Sequence, residues 1–296
     1  MPEICYKPKK FGERKLAIIA MARKFVTEYQ EQGFDLTIRQ LFYKFVSEGR
    51  LPNTERDYKN LIVTVSEARM AGLLDWDAIV DRTRQKEGQQ HWDSPKAIVD
   101  AAVKSYHIDK WANQPVRVEV WVEKRALIEV VGRAAYPLDV DYFSCNGYTS
   151  QSAMWRAAER LIEYEDAGQE TVILHLGDHD PSGVDMSRDI LDRLRIFDSR
   201  VEVIRIALTM EQIDALSPPP NPTKAADSRS DGYVAVYGRE CWELDALEPA
   251  YIVDLVTKEI LKLRDDSLWD EAVDHERHEV GILKVAAKII ERKLED

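Results

Sequence analysis

Two aspartates separated by one residue follow an apolar segment near the middle of the chain. They belong to the stretch Asp178-His179-Asp180-Pro181-Ser182-Gly183, which comes directly after residues 171–176. If those residues form a strand, both carboxylates leave the chain on the same side, because alternate residues of a strand share a face. Paired carboxylates repel each other unless a cation lies between them, and oxygen ligands favour Mg²⁺ or Mn²⁺ over zinc. The stretch predicts a divalent metal site, with a hydrated acidic turn as the alternative.

A third carboxylate, Glu123, follows another segment with a strand pattern. Residues 116–122 alternate valine with other residues, which is the period of a strand. In an open α/β sheet the carboxyl ends of parallel strands meet at one edge, where ligands bind. Glu123 is therefore a candidate metal ligand or general base beside the aspartates, and Lys124 and Arg125 would supply positive charge for a phosphate. The alternative for Glu123 is a solvated strand terminus.

The elements that would position these acids alternate along the chain. We predict strands at residues 116–122, 140–144, 171–176 and 201–207, and helices at residues 126–135, 150–165 and 184–197. This order predicts a Rossmann-like α/β domain, with a mostly parallel sheet covered by helices on both faces. Pro181 would end the third strand and Ser182 would cap the helix that follows. The proline-rich residues 217–222 are predicted to form a loop.

The first third of the chain has a helical pattern instead. We predict helices at residues 15–32, 38–48, 54–72 and 77–83, separated by short turns. Compact helices of this number and size are typical of a helix-turn-helix or winged-helix module. The predicted organisation is a helical module at 1–95, a linker at 96–114, the α/β domain at 115–250 and a C-terminal helical extension at 251–296.

Together, these motifs resemble a TOPRIM domain, the metal-binding module of topoisomerases, DnaG-type primases and OLD-family nucleases. The resemblance rests on Glu123 after the first strand, a glycine-bearing loop at residues 146–148 and the Asp178/Asp180 pair after the third strand. The variant with Pro181 and Gly183 is most similar to the family of the topoisomerase VI A subunit and the meiotic protein Spo11. The resemblance covers about residues 35–84 and 115–250.

This resemblance extends to a tyrosine in the helical module. Thr37-Ile38-Arg39-Gln40-Leu41-Phe42-Tyr43 is similar to the helix on which that family carries its DNA-cleaving tyrosine, which implies that Tyr43 is the nucleophile. A phenol with a pKa near 10 needs help from cations or a base, and Arg39 lies one helical turn away on the same face. Glu243 and Asp245 resemble the family's E-x-E/D-A-L stretch, which implies a contact with metal or a role in the dimer.

Composition limits the other classes of function. The chain has 296 residues and a net charge of −12, which argues against a protein that coats nucleic acid non-specifically. Residues 1–100 carry +2 and the remainder −14, so charges for DNA would come from the helical module. These candidate DNA contacts are Lys7, Lys9, Lys10, Arg39, Lys44 and Arg50. Three distant cysteines indicate a reducing compartment, and neither a signal peptide nor a membrane-spanning run is recognisable, so we expect a cytoplasmic, DNA-associated protein.

The resemblance implies that the protein cleaves double-stranded DNA through a phosphotyrosyl bond, with Mg²⁺ (or Mn²⁺) on Glu123, Asp178 and Asp180. It also implies a homodimer in which the tyrosine of one chain meets the metal of the other. No nucleotide-binding P-loop is present, so ATP-driven strand passage would need a separate GHKL-type ATPase subunit. Two alternatives stay open: a nuclease of the OLD type in which the metal activates water, and a DNA-binding or regulatory protein without catalysis.

Overall fold

A computed structural model describes residues 5–76, 79, 91–145, 149–223 and 229–295 of the chain. In chain order, its helices and strands are α1 (Glu13–Glu31), α2 (Ile38–Ser47), α3 (Glu55–Met70), α4 (Pro95–Ser105), β1 (Val116–Val122), α5 (Ile128–Ala135), β2 (Asp141–Ser144), α6 (Gln151–Asp166), β3 (Glu170–Leu176), α7 (Pro181–Ile196), β4 (Glu202–Ala207), α8 (Met210–Leu216), β5 (Asn221–Pro222), α9 (Ser230–Tyr237), β6 (Glu240–Cys241), α10 (Pro249–Leu263) and α11 (Asp266–Glu295).

The central feature is a four-stranded sheet in the order β2-β1-β3-β4, in which every neighbouring pair is parallel. Val122, the last residue of β1, lies opposite Leu176, the last residue of β3. The predicted parallel α/β architecture is therefore confirmed, with element ends that differ by at most a few residues. Because β1 and β3 are adjacent and end in register, the residues that follow them emerge side by side at the carboxyl edge of the sheet.

Apolar layers cover both faces of this sheet. The valines of β1 alternate, so Val118, Val120 and Val122 pack on the face that α5 and α10 cover. Trp121 points to the other face, where it packs with buried residues of α6 and α7. Burial of a large side chain contributes roughly 1.5–3 kcal/mol, so each face holds the sheet firmly. Helices on both faces were predicted from the alternation of patterns, and the structure confirms them.

In the N-terminal module, α1, α2 and α3 pack around a second core that includes Phe25, Leu41, Phe45 and Leu61. Helix α2 begins at a capping box: the Thr37 side chain accepts from the backbone N–H of Gln40, and the Gln40 side chain accepts from the backbone N–H of Thr37. Within residues 5–76, 79 and 91–95, β-type pairing is limited to isolated bridges, so no wing of paired strands is described there. Apart from Ile79, the short helix predicted at residues 77–83 lies outside the described residues, as does the loop at 146–148.

The segments flanking the sheet domain pack onto it. Within the interval predicted to be a linker, α4 contacts α11 and Trp111 is fully buried in the sheet core. Helix α10 buries Ile252, Val256 and Ile260 in that core, and its Val253 packs against both cores. Helix α10 therefore joins the N-terminal module to the sheet.

One loop prediction needs a correction. Residues 217–222 were expected to be a loop, but Asn221 and Pro222 form the short strand β5, which pairs antiparallel with β6. Pro222 is tolerated because this two-stranded sheet is all edge, where a missing N–H leaves no central ladder bond unmade. The pairing fixes the position of Asn221 near the carboxyl edge of the main sheet.

Among the described residues, no helix combines the length and the apolar character that are needed to cross a bilayer.

Candidate functional site

Glu123 leaves β1 at the carboxyl edge and turns toward the loop that follows β3. Its backbone N–H donates to the carbonyl of Leu176 at 2.8 Å, and its Oε2 accepts from the backbone N–H of Asp178 at 2.8 Å. Burial raises the pKa of Glu123, and the negative charge of Asp180 adds to this effect. The structure thus brings Glu123 beside the aspartate loop, as the parallel order of the strands predicted.

Asp178 is buried, with 6% of its surface exposed. Its Oδ1 accepts from the backbone N–H of Leu244 at 2.7 Å, and its Oδ2 lies 2.9 Å from the Nζ of Lys124. Burial raises the pKa of Asp178 to about 7; Lys124 opposes this shift, whereas Glu123 adds to it. Two carboxylates are therefore held together at a cost in desolvation and repulsion, which a bound cation would reduce.

Asp180 has a structural task as well. It is the N-cap of α7, where its Oδ1 accepts from the backbone N–H of Gly183 at 2.7 Å and Pro181 is the first helical residue. The prediction that Ser182 caps this helix is therefore wrong, because the helix begins three residues earlier than the apolar pattern indicated. The cap fixes the Asp180 carboxylate at the positive end of the α7 dipole.

Beneath this loop lies Arg205, which sequence reasoning missed. From β4 its guanidinium donates to four backbone carbonyls, those of Gly177 (3.0 Å), Asp178 (2.6 Å), Gly183 (2.8 Å) and Leu208 (3.3 Å). Burial lowers the pKa of Arg205, and the three carboxylates above it oppose that shift. An arginine inside a strand that is predicted to be buried is the signal that points to such a role, because a buried charge needs several partners.

Lys124 lies at the centre of a group of acids. Its Nζ lies 2.9 Å from Asp178, 2.8 Å from Glu243 and 3.2 Å from Asp245. Burial lowers its pKa, but the three carboxylates outweigh burial and raise it overall. Lys124 was predicted to contact a phosphate; within this chain it binds carboxylates and links the Asp178 loop to the segment after β6.

Helix α2 presents Arg39 and Tyr43 to this same segment. The Nη2 of Arg39 donates to both carboxylate oxygens of Glu243, at 2.5 and 2.6 Å, and its guanidinium lies 5.9 Å from the centre of the Tyr43 ring. The spacing of four residues places both side chains on one helical face. Glu243 stays ionised, because Lys124 and Arg39 outweigh its burial and hold its pKa at about 2.

Tyr43 is buried, with 4% of its surface exposed. Its hydroxyl accepts from the Nδ2 of Asn221 at 3.1 Å. Burial raises the pKa of Tyr43 to about 12, and the negative charge of Glu243 acts in the same direction. In this arrangement the phenol is protonated at neutral pH. No sequence pattern indicated a role for Asn221, because the pairing of β5 with β6 was not predicted.

The other candidate DNA contacts are distributed differently. Lys44 lies 3.0 Å from Glu248 and Lys9 pairs with Glu67, so both cations have acidic partners in this chain. Lys7, Lys10, Arg50 and Arg125 are exposed. The structure therefore brings Arg39 and Lys124 into the acidic site and leaves this last group on the surface.

A metal can be tested against these donors. The part of the chain that the structure describes has no three Asp, Glu, His or Cys side chains already arranged as a metal site, and Lys124 contacts Asp178 directly. The donors still fit a hard cation, because they are carboxylate oxygens and Mg²⁺ retains several waters beside one or two carboxylates. The buried Oδ1 of Asp245 has no hydrogen-bond partner among the described residues, which also indicates unsatisfied negative charge. Glu123, Asp178 and Asp180 would hold the ion.

Comparison with known families places no constraint on this site, since no protein-family model matches the chain and no curated protein matches it significantly. The geometry therefore carries the functional argument. Three acids meet at the carboxyl edge of the sheet, and an ion-pair network through Lys124 and Glu243 links them to an arginine and a tyrosine of another module.

Proposed function

We propose that this chain is a metal-dependent DNA-cleaving subunit similar to the topoisomerase VI A subunit, with a TOPRIM domain at residues 115–250 and a helical, winged-helix-like module that carries the nucleophile Tyr43. One observation carries the proposal: the continuous chain of ion pairs Arg39–Glu243–Lys124–Asp178, which joins the tyrosine helix to the acidic edge of the sheet. A hydrated acidic turn would need no such connection.

In the proposed reaction, the oxygen of Tyr43 attacks a DNA phosphorus atom. A bond forms between this oxygen and phosphorus, the bond from phosphorus to one sugar oxygen breaks, and the phenolic proton ends on that leaving oxygen. When Mg²⁺ or Mn²⁺ is bound, it supplies positive charge for the phosphate and for the leaving oxygen. Arg39 orients the phosphate and favours the phenolate, and the Asn221 N–H stabilises the same charge.

Proton movement falls to the carboxylates of the site. Glu243 carries negative charge near Tyr43, but a carboxylate with a pKa near 2 is a weak base. Burial raises the pKa of Glu123, which favours it as a general base when no cation draws on its oxygens. We assign Glu123 the role of metal ligand, with general base as the alternative.

Partners follow from the same proposal. A double-strand cut requires two active sites, so the protein would work as a homodimer on double-stranded DNA, and strand passage would require a separate GHKL-type ATPase subunit. Within one chain, Arg39 already lies over the Tyr43 ring and pairs with Glu243, which shares Lys124 with Asp178. A site completed within one chain is therefore an alternative to the exchange of tyrosines between two chains.

A nuclease that activates water is the second candidate, and the burial of Tyr43 favours it. A phenol with a pKa of about 12 is a poor nucleophile at neutral pH, whereas the acids at the sheet edge need no tyrosine to hold a metal. In this case the same three carboxylates would bind the ion and Tyr43 would only pack and orient Arg39.

The experiment is covalent trapping. Purified protein is incubated with end-labelled duplex DNA and Mg²⁺ or Mn²⁺, denatured and run on a gel that separates protein-linked DNA from free DNA. We expect an adduct that Tyr43→Phe abolishes, because only the hydroxyl is removed. Tyr58→Phe is the matched control, because the Tyr58 ring also lies under Arg39, at 5.8 Å, and should keep the adduct.

Other outcomes decide between the alternatives. Cleavage that persists in Tyr43→Phe without any adduct supports the nuclease. If Asp178→Ala changes neither cleavage nor adduct formation, the acidic edge takes no part in catalysis and the proposal is wrong.

A further inference from the structure

Three side chains from three separate segments converge on the carboxylate of Glu243. Arg39 donates to both of its oxygens, and the Nζ of Lys124 donates to Oε2 at 2.8 Å. The Nδ2 of Asn221 donates to Oε1 at 3.4 Å. A single carboxylate thus accepts from a guanidinium, an ammonium and an amide.

This donor set is the one that proteins use for phosphate. A guanidinium offers two parallel N–H groups that match two oxygens of a phosphate, and a lysine adds a point charge. Asn221 is itself oriented, because the Nδ2 of Asn53 donates to its Oδ1 at 2.6 Å and leaves the Asn221 amide N–H groups free to face the site. The site is reachable from solvent, since the side chains of Arg39 and Glu243 are 44% and 21% exposed.

We propose that Arg39, Lys124 and Asn221 form a binding site for the oxyanion of a phosphodiester, and that Glu243 occupies this site as an internal substitute until a DNA phosphate displaces it. The assignment of DNA as the source of the phosphate rests on the proposed function; the oxyanion site itself does not.

The position of Tyr43 gives this substitution a consequence. The Nδ2 of Asn221 contacts both the Tyr43 hydroxyl, at 3.1 Å, and the Glu243 carboxylate, at 3.4 Å, so a phosphate that had taken the place of this carboxylate would lie near that hydroxyl. The bound phosphodiester would therefore bring its phosphorus atom close to the nucleophile.

The test measures binding and not cleavage. The dinucleotide TpT, which carries one phosphodiester, and inorganic phosphate are titrated by calorimetry into wild-type protein and into Glu243→Gln. An internal competitor that fills the site nine-tenths of the time lowers apparent affinity about tenfold, so we expect Glu243→Gln to bind TpT about tenfold more tightly than wild type. Arg39→Gln introduced into Glu243→Gln should remove that gain.

Glu248→Gln is the matched control. Glu248, like Glu243, accepts from a lysine, here Lys44; its other side-chain donor is Tyr29, and it has no arginine or asparagine partner among the hydrogen bonds of the described residues. Its substitution changes net charge by the same amount and should leave TpT affinity within about twofold of wild type, because solvent screens a charge that is not at the binding site. An equal gain in both variants would mean a general charge effect and would overturn the proposal.

Further outcomes keep the proposal falsifiable. If Glu243→Gln does not fold, Glu243→Asp replaces it: this variant retains the charge but shortens the side chain, and it should show a smaller gain in TpT affinity. If neither variant folds, phosphate binding is compared between wild type and Arg39→Gln. Weaker binding by Arg39→Gln supports the site, and equal binding overturns it. A folded Glu243→Gln that binds neither probe more tightly than wild type overturns it as well. Tighter TpT binding by Glu243→Gln without any phosphotyrosyl adduct would support this site while the proposed function fails. A phosphotyrosyl adduct without tighter TpT binding would support the proposed function while this site fails.

Discussion

Gly183 marks the point where the acidic loop folds back most closely on itself. A Cβ added there would lie 2.3 Å from the carbonyl oxygen of Asp178 and 3.0 Å from the Oε2 of Glu123. The first of these contacts is with backbone, which cannot swing away as a side chain can. Glycine at this position is therefore required by space, since it lets the first turn of α7 lie against the loop that carries both aspartates.

We predict that Gly183→Ala lowers the free energy of unfolding by about 1–3 kcal/mol, because the methyl group must push the Asp178 backbone aside. Urea denaturation followed by circular dichroism measures the change. Gly281→Ala is the control: Gly281 lies in α11 with nothing within 4 Å of an added Cβ, and alanine there should stabilise the helix by up to about 1 kcal/mol. Equal stability of wild type and Gly183→Ala would contradict the close packing of this loop.

Among the elements, the amino edge of the sheet depends on one buried acid, Glu165, at the end of α6. Its Oε1 accepts from the hydroxyls of Thr171 on β3 and Ser199 before β4, at 2.6 and 2.9 Å, and the backbone N–H of Arg200 donates to both carboxylate oxygens. Burial raises the pKa of Glu165, but these hydrogen bonds outweigh it and lower the pKa overall. One carboxylate thus ties a helix to two neighbouring strands.

We predict that Glu165→Gln destabilises the protein at pH 7 by about 1–3 kcal/mol, because an amide accepts fewer of these bonds and brings an N–H₂ without a partner. Because the folded-state pKa is lowered, the contribution of the carboxylate is fully present above its ordinary value near 4.5 and is lost as the pH falls through the lower folded value. The difference between variant and wild type should therefore shrink below about pH 4.5.

Urea titrations at several pH values measure this difference. Glu163→Gln, two residues earlier on the exposed face of α6, should change stability by less than about 0.5 kcal/mol. If the difference in unfolding free energy between wild type and Glu165→Gln grew as the pH fell, the carboxylate would not be the stabilising form.

At the scale of the whole molecule, the site exists because two modules with separate cores are held in contact. Val253 of α10 packs against both cores, and Lys44 and Tyr29 of the helical module bind Glu248 at the start of α10. The Arg39–Glu243 pair crosses the same boundary. The partly exposed ion pairs are each worth at most about 1 kcal/mol, and the apolar contacts of Val253 add to the adhesion.

Metal binding is predicted to stabilise the whole fold. A ligand that binds only the folded state adds about 2.7 kcal/mol at a concentration one hundred times its Kd, so Mg²⁺ or Mn²⁺ should raise the melting temperature and EDTA should reverse the rise. Asp180→Asn should lose most of this increase while it keeps the α7 cap, since asparagine caps helices as well as aspartate does.

Asp109→Asn provides the control for this shift. Asp109 pairs with Arg117 near the amino end of β1, away from the acidic edge, so the variant should keep the metal-dependent rise in melting temperature. Differential scanning calorimetry with and without EDTA makes both measurements. If Asp180→Asn showed the same metal-dependent rise in melting temperature as wild type, Asp180 would not be one of the metal ligands.

The fold class followed from local patterns. Alternating valines in residues 116–122 and helical spacing between the strands require only the periods of strand and helix, and parallel pairing follows from their alternation. The gathering of Glu123 with the aspartates followed too, because parallel strands end at one edge. The Asp180 cap was missed and Ser182 was wrongly predicted in its place, because Pro181 is an excellent first helical residue and the helix starts earlier than its apolar pattern.

Tertiary structure alone decided what these residues contact. Asn221 reaches Tyr43 through a two-residue strand that has no recognisable pattern, and Arg205 supports the acidic loop from a neighbouring strand. Lys124 and Arg39 bind acids that lie more than 100 residues away along the chain. Sequence periodicity reports which face a residue occupies, but the partner of a charge depends on how distant segments are packed, and no local pattern contains that information.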